Sequence, residues 1–411
     1  MSGNLRIVVV GGSLGGLLAG NILHRAGFDV TVHERIAVPL DGRGAGIAAH
    51  PELFDAFERA GVNVNDAIGT SVEDRYVFAQ DGSVANMLHL PQTMCAWGSL
   101  LRLLQAAFPP ERYFTGMPFV HAEPRAGGVA VRFGKPDGND LTEIEADVLV
   151  GADGLYSTVR ELFWPGVRPV YAGYIVWRGM VDEARVSPAT HAALFERYSF
   201  CLPPGEHALG YPIPGADGDV RPGRRRFNFV WYRRVEEATE LKDLMTDDTG
   251  HYHAAGIPPG MLQARHVAAF RAAAEQVLAP QFCEIAQLIE TPFFQSVMDM
   301  DAPGMVSGRV AMLGDAPFLV RPHCGMGVTK AAGDAVALAD ALTAHPGQVD
   351  AALAVYDAAR SEYGRALTLH SRKLGSQMKT TYASDEERDE AAFYRKPETC
   401  LRQISYPPEH L

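Results

Sequence analysis

The chain has 411 residues, long enough for two or three domains, with an ordinary 47% hydrophobic and 21% charged content. Its 37 lysines and arginines against 49 aspartates and glutamates give a net charge of −12, which excludes the basic face that a nucleic-acid or acidic-membrane partner would need. We expect neither a signal peptide nor a membrane span, and hence a cytoplasmic protein, because the apolar run after Arg6 has only the length of a strand.

The cysteines do not indicate a metal site or a disulfide framework. They are scattered, odd in number and without CxxC or Cys/His spacing, so we predict no metal site and expect reduced thiols. The five are Cys95, Cys201, Cys283, Cys324 and Cys400.

The first 35 residues have the pattern of a strand, a helix and a second strand. The β-branched run from Ile7 to Val10 predicts a buried strand. Helical apolar spacing over residues 14–26 predicts a helix that Gly27 ends, and residues 28–33 predict the second strand. This is the beginning of a βαβ unit.

The turn between that first strand and the helix carries a dinucleotide-binding fingerprint. Such a turn needs glycine for the bend, a close backbone approach at the pyrophosphate, and an acid about 20 residues further on for the ribose. Gly11, Gly16 and Glu34 fit these roles, whereas Ser13 stands at the second glycine position. Serine is small and keeps its N–H, so we expect a slightly altered pyrophosphate contact. The predicted set is Gly11, Ser13, Leu14, Gly16, Glu34 and Arg35.

Two later segments also place a strand before a glycine-containing turn and a helix. Residues 146–150 predict a strand that leads to Asp153, whose carboxylate can accept hydrogen bonds. Residues 309–313 predict a strand that ends in Gly314 and Asp315, followed by a helix over about 328–342. The N–H groups at such a helix start can hold an anionic group, and Asp315 can accept from a sugar hydroxyl. Each segment alone is also compatible with an ordinary strand–turn–helix.

The three segments together, in this order and spacing, resemble the class A flavoprotein monooxygenases, the single-component FAD-dependent aromatic hydroxylases. The resemblance covers roughly the first 345 residues. It implies one FAD, NAD(P)H as the co-substrate that reduces it, and molecular oxygen that reaches a small electron-rich aromatic ring through a flavin C4a-hydroperoxide. A single fingerprint without a CxxC pair also fits one FAD better than two permanently bound dinucleotides.

The resemblance assigns cofactor contacts outside the first turn. Arg43 lies in a glycine-rich loop that borders the flavin in this family, and Met326 replaces the usual glutamine of a Gly-Gln-Gly segment. Trp97 stands where relatives often have a cofactor-binding arginine, so we expect that contact to be lost or replaced by packing. The predicted contacts are Arg43, Gly46, Asp153, Gly314, Asp315, Gly325, Met326 and Gly327.

Four residues are candidates for the reaction itself. The resemblance places His323, directly after Pro322, near the reacting edge of the flavin, where an imidazole can accept or relay a phenolic proton. The alternative is a histidine that only packs against the loop. His50 can face the same site, although a helix N-terminal or surface position explains an isolated histidine better. Tyr211, before a Pro-Ile-Pro-Gly segment, is expected near the substrate.

Segments within residues 171–247 are similar to the 2,6-dihydroxypyridine 3-monooxygenases of this family, which implies a hydroxypyridine as the substrate. His50 and Cys324 differ from that group. The same chemistry on a simple phenol or hydroxybenzoate, another flavin oxidoreductase reaction, and a non-catalytic FAD-binding role stay open as alternatives.

The predicted fold class is α/β: a Rossmann-type FAD-binding domain with an interleaved β-sheet substrate domain and C-terminal helices, as in p-hydroxybenzoate hydroxylase. We assign residues 1–70, 95–165 and 296–345 to the FAD-binding domain and residues 71–94 and 166–295 to the substrate domain. Residues 346–411 form a C-terminal helix, over 349–374, and a tail that is either an arm over a partner subunit or disordered. A homodimer is expected.

Overall fold

The computed structural model describes residues 5–40, 45–134, 141–379 and 381–408. The strands in these ranges are β1 (Arg6–Val10), β2 (Asp29–Glu34), β3 (Gly46–Ala48), β4 (Thr70–Phe78), β5 (Val84–Ala96), β6 (Tyr113–Thr115), β7 (Phe119–Arg125), β8 (Gly128–Gly134), β9 (Leu141–Ala146), β10 (Val148–Gly151), β11 (Val170–Asp182), β12 (Arg197–Cys201), β13 (His207–Ile213), β14 (Arg226–Arg234), β15 (Phe293–Asp301), β16 (Val306–Ser307), β17 (Val310–Met312) and β18 (Phe318–Leu319).

The helices in the same ranges are α1 (Leu14–Arg25), α2 (Pro51–Arg59), α3 (Trp97–Ala107), α4 (Thr158–Phe163), α5 (Pro188–Leu194), α6 (Lys242–Leu244), α7 (Ala264–Val277), α8 (Pro280–Leu288), α9 (Gly327–Ala344), α10 (Val349–Leu374), α11 (Asp385–Tyr394) and α12 (Pro397–Gln403). None of these helices has the length and apolar character needed to cross a membrane.

A six-stranded sheet carries the predicted Rossmann-type unit, with the strand order β16-β17-β10-β1-β2-β6. The strands β17, β10, β1, β2 and β6 run parallel, and only the short β16 is antiparallel. Both faces are covered, which explains the continuous apolar runs of β1 and β10. Helices α1 and α9 pack on one face, and the antiparallel sheet β7-β8-β9 lies near the other. The carboxyl ends of β1, β10 and β17 therefore lie side by side.

The second sheet has nine strands in the order β18-β15-β11-β14-β13-β12-β4-β5-β3. The aromatic strands β11, β13 and β14 pair antiparallel, as their sequences predict. Strand β12, however, runs parallel to β4. The difference arises because β4 and β5 reach this sheet from an earlier part of the chain instead of through a hairpin from β12.

The predicted domain limits stay a prediction, but three strands differ from them in sheet membership. Strand β3 pairs with β5, β15 pairs with β11, and β18 pairs with β15, so all three belong to the nine-stranded sheet. The predicted limits assign all of β3, all of β18 and most of β15 to the FAD-binding domain. Backbone pairing, which sequence pattern does not reveal, decides where such short segments belong.

The nine-stranded sheet separates two environments because its side chains alternate between its faces. Ile175 and Trp177 of β11 pack with α7 and α8. The intervening residues of β11 point to the opposite side, which we call the site face. It carries Tyr174, Val176, Tyr198, Tyr211 and Tyr232. The loop before α9 and the C-terminal helices cover it.

The C-terminal tail folds back on this chain in its described part, residues 381–408. Cys400, Leu401 and Ile404 are buried against the site face. The fully buried Arg75 of β4 donates to the carbonyls of Leu401 (2.9 Å) and Ile404 (2.7 Å). These residues are therefore ordered on their own chain, contrary to the expected disorder, and the alternative of an arm over a partner subunit stays a prediction.

Replacing Arg75 with methionine should release the C-terminal segment. The substitution leaves two buried carbonyls without donors, each costing about 1–3 kcal/mol, so we expect a loss of roughly 2–6 kcal/mol in the free energy of unfolding. Urea unfolding and limited proteolysis near residue 395 would measure it. The control is Arg59→Met, which removes only an exposed pair with Asp340 and should cost less than about 1 kcal/mol. Equal losses in both variants, or unchanged proteolysis, would contradict the anchoring role.

Candidate active site

A cavity of about 480 Å³ opens where the carboxyl ends of β1, β10 and β17 meet the start of α9. The structure brings together at its wall nine of the residues predicted to bind the cofactor. They are Gly11, Ser13, Leu14, Glu34, Arg35, Asp153, Gly314, Asp315 and Gly327. A crevice at the carboxyl ends of parallel strands is the usual ligand position in open α/β sheets.

The first turn has no room for side chains at its two key glycines. Gly11 has φ +107°, and its N–H donates to the carbonyl of His33 at 2.8 Å. A Cβ atom on Gly16 would lie 1.8 Å from the Gly11 carbonyl oxygen. Helix α1 therefore starts directly beneath the turn, and its first N–H groups face the cavity, where they can bind a pyrophosphate.

Glu34 is held at the end of β2 by the backbone. Its Oε2 accepts from Gly12 N–H at 2.7 Å and its Oε1 from Ile36 N–H at 2.9 Å. A carboxylate has about four acceptor positions. Two therefore stay available for ribose hydroxyls at the cavity wall, as the fingerprint predicts.

Asp153 lines the cavity, but its carboxylate caps α4. It accepts from the N–H groups of Thr158 (2.8 Å) and Val159 (3.1 Å) and from the Ser157 hydroxyl (2.5 Å). Its predicted cofactor contact stays a prediction. The guanidinium of Arg160, a residue of α4, donates to backbone carbonyls, among them Ala316 at 2.8 Å, and not to Asp153.

A buried charge cluster fixes the turn at Gly314, which has φ +63°. The Gly314 N–H donates to Asp334 Oδ2 at 3.0 Å, and Lys330 Nζ donates to the Gly314 carbonyl at 2.7 Å. Lys330 and Asp334 are themselves paired at 2.8 Å with fully buried side chains, and Arg360 holds the second Asp334 oxygen at 2.7 Å. Asp315 is thereby presented to the cavity. Burial raises the pKa of its carboxyl, which the Lys330 ammonium counteracts.

His323 lies on the site face, at the center of a 3-10 turn formed by Pro322–Cys324. Its ring stacks on Tyr232 with centroids 4.0 Å apart, and its Nε2 lies 3.0 Å from the Tyr174 hydroxyl. Burial, His207 and Arg321 lower the pKa of His323 well below its ordinary value, so the imidazole is neutral. Its Nδ1 has no hydrogen-bond partner within the described residues.

The Tyr174 hydroxyl can either donate to His323 Nε2 or accept from it. Arg321, which can only donate, approaches the Tyr174 oxygen at 3.4 Å. In the arrangement in which the tyrosine proton points at His323 Nε2, the imidazole proton resides on Nδ1. In that tautomer the neutral ring has an N–H that can donate to a ligand oxygen. The predicted catalytic role of His323 stays a prediction.

His50 is an N-terminal helix residue, as expected, but it is buried and not on the surface. It precedes α2, its Nδ1 lies 3.1 Å from Thr329 Oγ1, and its Nε2 lies 3.2 Å from the Ser405 carbonyl. The Ser405 N–H donates to the His323 carbonyl at 2.9 Å. Ser405, with φ +52°, therefore connects the two candidate histidines. No feature of the sequence indicates the contact between Ser405 and His323, which lie more than 80 residues apart in the chain.

The remaining predicted residues lie around the same region. Gly46 donates its N–H to Asn228 Oδ1 at 3.0 Å, and a Cβ on Gly46 would lie 2.5 Å from the Tyr211 ring. Trp97 lines the cavity, which agrees with a contact by packing. Gly325 lies against Ser405, and Met326 is buried on the site face. Arg43 lies outside the described residues.

Sequence reasoning missed several residues that shape the site. They are Arg75, Asn228, Lys330, Asp334 and Ser405. Asn228 was detectable as the polar residue within the otherwise apolar and aromatic run from Phe227 to Tyr232. The pair Lys330 and Asp334 has the spacing of a helical ion pair, but such pairs are usually exposed, so sequence alone does not indicate a buried one.

The site fits FAD: the turn at Gly11 excludes side chains, Glu34 is placed for a ribose, and Asp315 lies at the second wall of the same cavity. Fold and site together define a Rossmann-type flavoprotein.

Comparison with known proteins identifies the family. A family model described as FAD binding domain matches residues 4–198, and one described as FAD binding domain-like matches residues 171–299. The chain is 32% identical over 373 residues to 2,6-dihydroxypyridine 3-monooxygenase of Paenarthrobacter nicotinovorans, with 91% of each chain covered. The structure of 2,6-dihydroxypyridine-3-hydroxylase from Arthrobacter nicotinovorans matches with a TM-score of 0.83 at 31% identity, covering 93% of this chain and 96% of that one.

Klebsiella pneumoniae HpxO, solved with FAD and uric acid, shares the fold with a TM-score of 0.75 at 22% identity, covering 97% of this chain and 94% of that one. The chain belongs to the family of FAD-dependent aromatic-ring monooxygenases, in which NAD(P)H is the typical electron donor.

Two neighbouring glycines provide a matched test of the first turn. Gly16→Ala should abolish FAD binding, because its Cβ would lie 1.8 Å from the Gly11 carbonyl oxygen. Gly15→Ala should retain FAD, because its nearest neighbour is the flexible Leu313 side chain at 3.2 Å. Flavin absorbance per protein after purification measures both. Loss of FAD in both variants, or in neither, would contradict the predicted geometry.

Three buried histidines should make the protein less stable at acidic pH. Burial lowers the pKa of His33 to about 4 and, with a contribution from Arg395, that of His207 to about 3, and the pKa of His323 is also lowered. All three are neutral when folded and take up a proton on unfolding below about pH 6.5. The free energy of unfolding should therefore fall as pH falls from about 6.5 to 4, by about 1.4 kcal/mol per pH unit for each histidine.

The variant His33→Phe should reduce this slope by one such contribution, since its ring can keep the stacking on Phe133. The control His89→Phe removes an exposed histidine and should leave the slope unchanged. Denaturant unfolding at a series of pH values measures both. An identical slope in His33→Phe and the unsubstituted protein would show that His33 is not neutral in the fold.

Proposed function

We propose that this enzyme hydroxylates a small hydroxypyridine, using FAD, NAD(P)H and molecular oxygen. The observation that carries the proposal is the 32% identity to a 2,6-dihydroxypyridine 3-monooxygenase over 91% of the chain, which includes the strands of the site face. A simple phenol or hydroxybenzoate is the alternative substrate, because pocket residues change readily on a common fold.

FAD, when bound, would supply the oxygen chemistry, and the chain would hold it with the first turn, Glu34 and Asp315. The site face is lined by buried aromatic rings, among them Tyr211 and Tyr232, so it excludes water from a bound substrate. Exclusion of water suppresses side reactions of activated oxygen.

His323 would orient the substrate through Nδ1. Because burial and Arg321 disfavour the cationic imidazole, we infer that this ring donates to a substrate oxygen and does not store a proton. Pro322 starts the turn that carries it, and Tyr174 keeps the ring in place from the other side. His50, which bonds to Thr329 and Ser405, would act on the substrate only through the C-terminal segment.

The test is oxidation of NADH and NADPH by the purified holoenzyme with and without 2,6-dihydroxypyridine, 6-hydroxynicotinate and 4-hydroxybenzoate. A hydroxypyridine should stimulate the oxidation and yield a hydroxylated ring. His323→Phe, which can keep the stacking on Tyr232, should lower kcat/KM about 10²-fold or more. His89→Phe, at the exposed surface, should not. Stimulation by hydroxybenzoate alone would favour the alternative substrate, and stimulation by none would contradict the proposed substrate class.

The homodimer and the cytoplasmic location predicted from the sequence stay predictions. Light scattering of the eluted holoenzyme would measure the mass against the 44.5 kDa of one chain.

A further inference from the structure

Arg178 places a guanidinium group on the site face, and this group has no hydrogen-bond or ion-pair partner among the described residues. It lies two residues beyond Val176 in β11, so it points to the same side as Tyr174 and Val176. Its Nε is buried without a hydrogen bond, and no carboxylate within the described ranges pairs with the side chain. In contrast, the buried Arg225 holds Glu183 at 2.7 Å, and Arg321 holds Asp299 at 2.5 Å. The buried Arg75 and Arg160 have no carboxylate partner either, but both donate to backbone carbonyls. A partly buried cation with neither a counter-charge nor an acceptor is unfavourable, and a ligand oxygen can supply both.

Asn228 supplies a second unfilled donor beside it. The residue is fully buried, and its Oδ1 accepts from the Gly46 N–H at 3.0 Å. This contact requires the oxygen, so the amide orientation is fixed and Nδ2 points elsewhere. Nδ2 is buried without a partner among the described residues.

Strand register places these two donors close together. Arg178 pairs with Val230, and Asn228 pairs with Met180, so the two residues are diagonal neighbours on the same face of β11 and β14. Diagonal neighbours are about 7–8 Å apart at the backbone, a distance that an arginine side chain spans easily.

The three phenols that face the Arg178 guanidinium do not neutralise it. Burial raises the pKa of Tyr198, Tyr211 and Tyr232, and the nearby Arg178 guanidinium only partly offsets this. All three phenols are therefore neutral near pH 7. Asn228 is connected to the cavity wall through the backbone: it bonds to Gly46, and the preceding Ala45 carbonyl accepts at 3.0 Å from the N–H of Trp97, which lines the cavity.

We propose that Arg178 and Asn228 together bind an anionic oxygen of the aromatic substrate, either an ionised ring hydroxyl or a carboxylate. The proposal rests on the proposed function and deepens it, because it restricts the substrate to rings that bear such a group. A site built from unfilled donors rejects an analogue that lacks the acceptor, since the donors then stay buried without a partner. Arg178 is thus a specificity-determining and positioning residue.

The test compares charged and uncharged rings in the holoenzyme. The probes are 2,6-dihydroxypyridine against 2,6-dimethoxypyridine, for a ring oxyanion, and 6-hydroxynicotinate against its amide, for a carboxylate. Dissociation constants come from the change in flavin absorbance on titration, alongside KM and kcat. The unsubstituted enzyme should prefer the anionic member of at least one pair.

Arg178→Met should weaken binding of that anionic ring about 10- to 100-fold and raise KM more than it lowers kcat, with FAD content unchanged. Arg178→Lys should recover part of the affinity because it restores the charge. Asn228→Leu should weaken the same ring less, because it removes a neutral donor. The control Arg168→Met, which removes an exposed pair with Glu161, should change nothing.

A dissociation constant for the anionic ring that stays within about threefold in Arg178→Met would overturn the proposal, as would equal loss for the charged and uncharged rings. Loss of FAD in both Arg178→Met and Arg178→Lys would show a structural role and overturn it as well. If the unsubstituted enzyme binds the probes but turns none of them over, the proposed function is refuted. The dissociation constants of the Arg178 variants then still test whether Arg178 binds the anionic oxygen. Binding of no probe would refute both.

Discussion

The buried carboxylate of Asp334 is the contact on which the cofactor side of the structure depends. It accepts from Gly314 N–H and holds both Lys330 and Arg360, so β17, α9 and α10 meet at one group. Removing one partner from a fully buried charge pair typically costs about 3–5 kcal/mol, because the other charge is then left without compensation. The left-handed turn at Gly314 is therefore maintained, and with it the position of Asp315 beside the ends of β1 and β10.

Side chains in β11 and β14 alternate between a face that packs in the hydrophobic core and the site face. Trp177 and Trp231 fill the core on the far side, whereas Arg178 and Tyr232 point to the site face. Because this face is buried, its donors are poorly solvated, and an anionic ligand gains more from them than it would in water. The C-terminal segment covers part of the same face through Arg75 and Ser405, which links the end of the chain to the site face.

The local elements were predictable because their signals are local. The glycines at 11 and 16 with Glu34 defined the first turn, and the apolar spacing of residues 349–374 matched α10 in full. The long-range contacts were not predictable. Nothing in the sequence around Ser405 indicates a left-handed residue that bonds to His323, and nothing around Arg75 indicates an arginine buried under the tail. Arg178 lies in a segment recognised by similarity, but its position on the site face follows only from counting alternate residues from Tyr174, once that strand is known to carry this face.

Turnover of 2,6-dihydroxypyridine under oxygen-18 gas, followed by mass spectrometry of the product, tests most directly whether the chain inserts an oxygen atom into an aromatic ring held on the site face. We expect one labelled oxygen atom on the ring for each NAD(P)H oxidised. Label found only in peroxide and water, with the ring unchanged, would contradict the proposed hydroxylation.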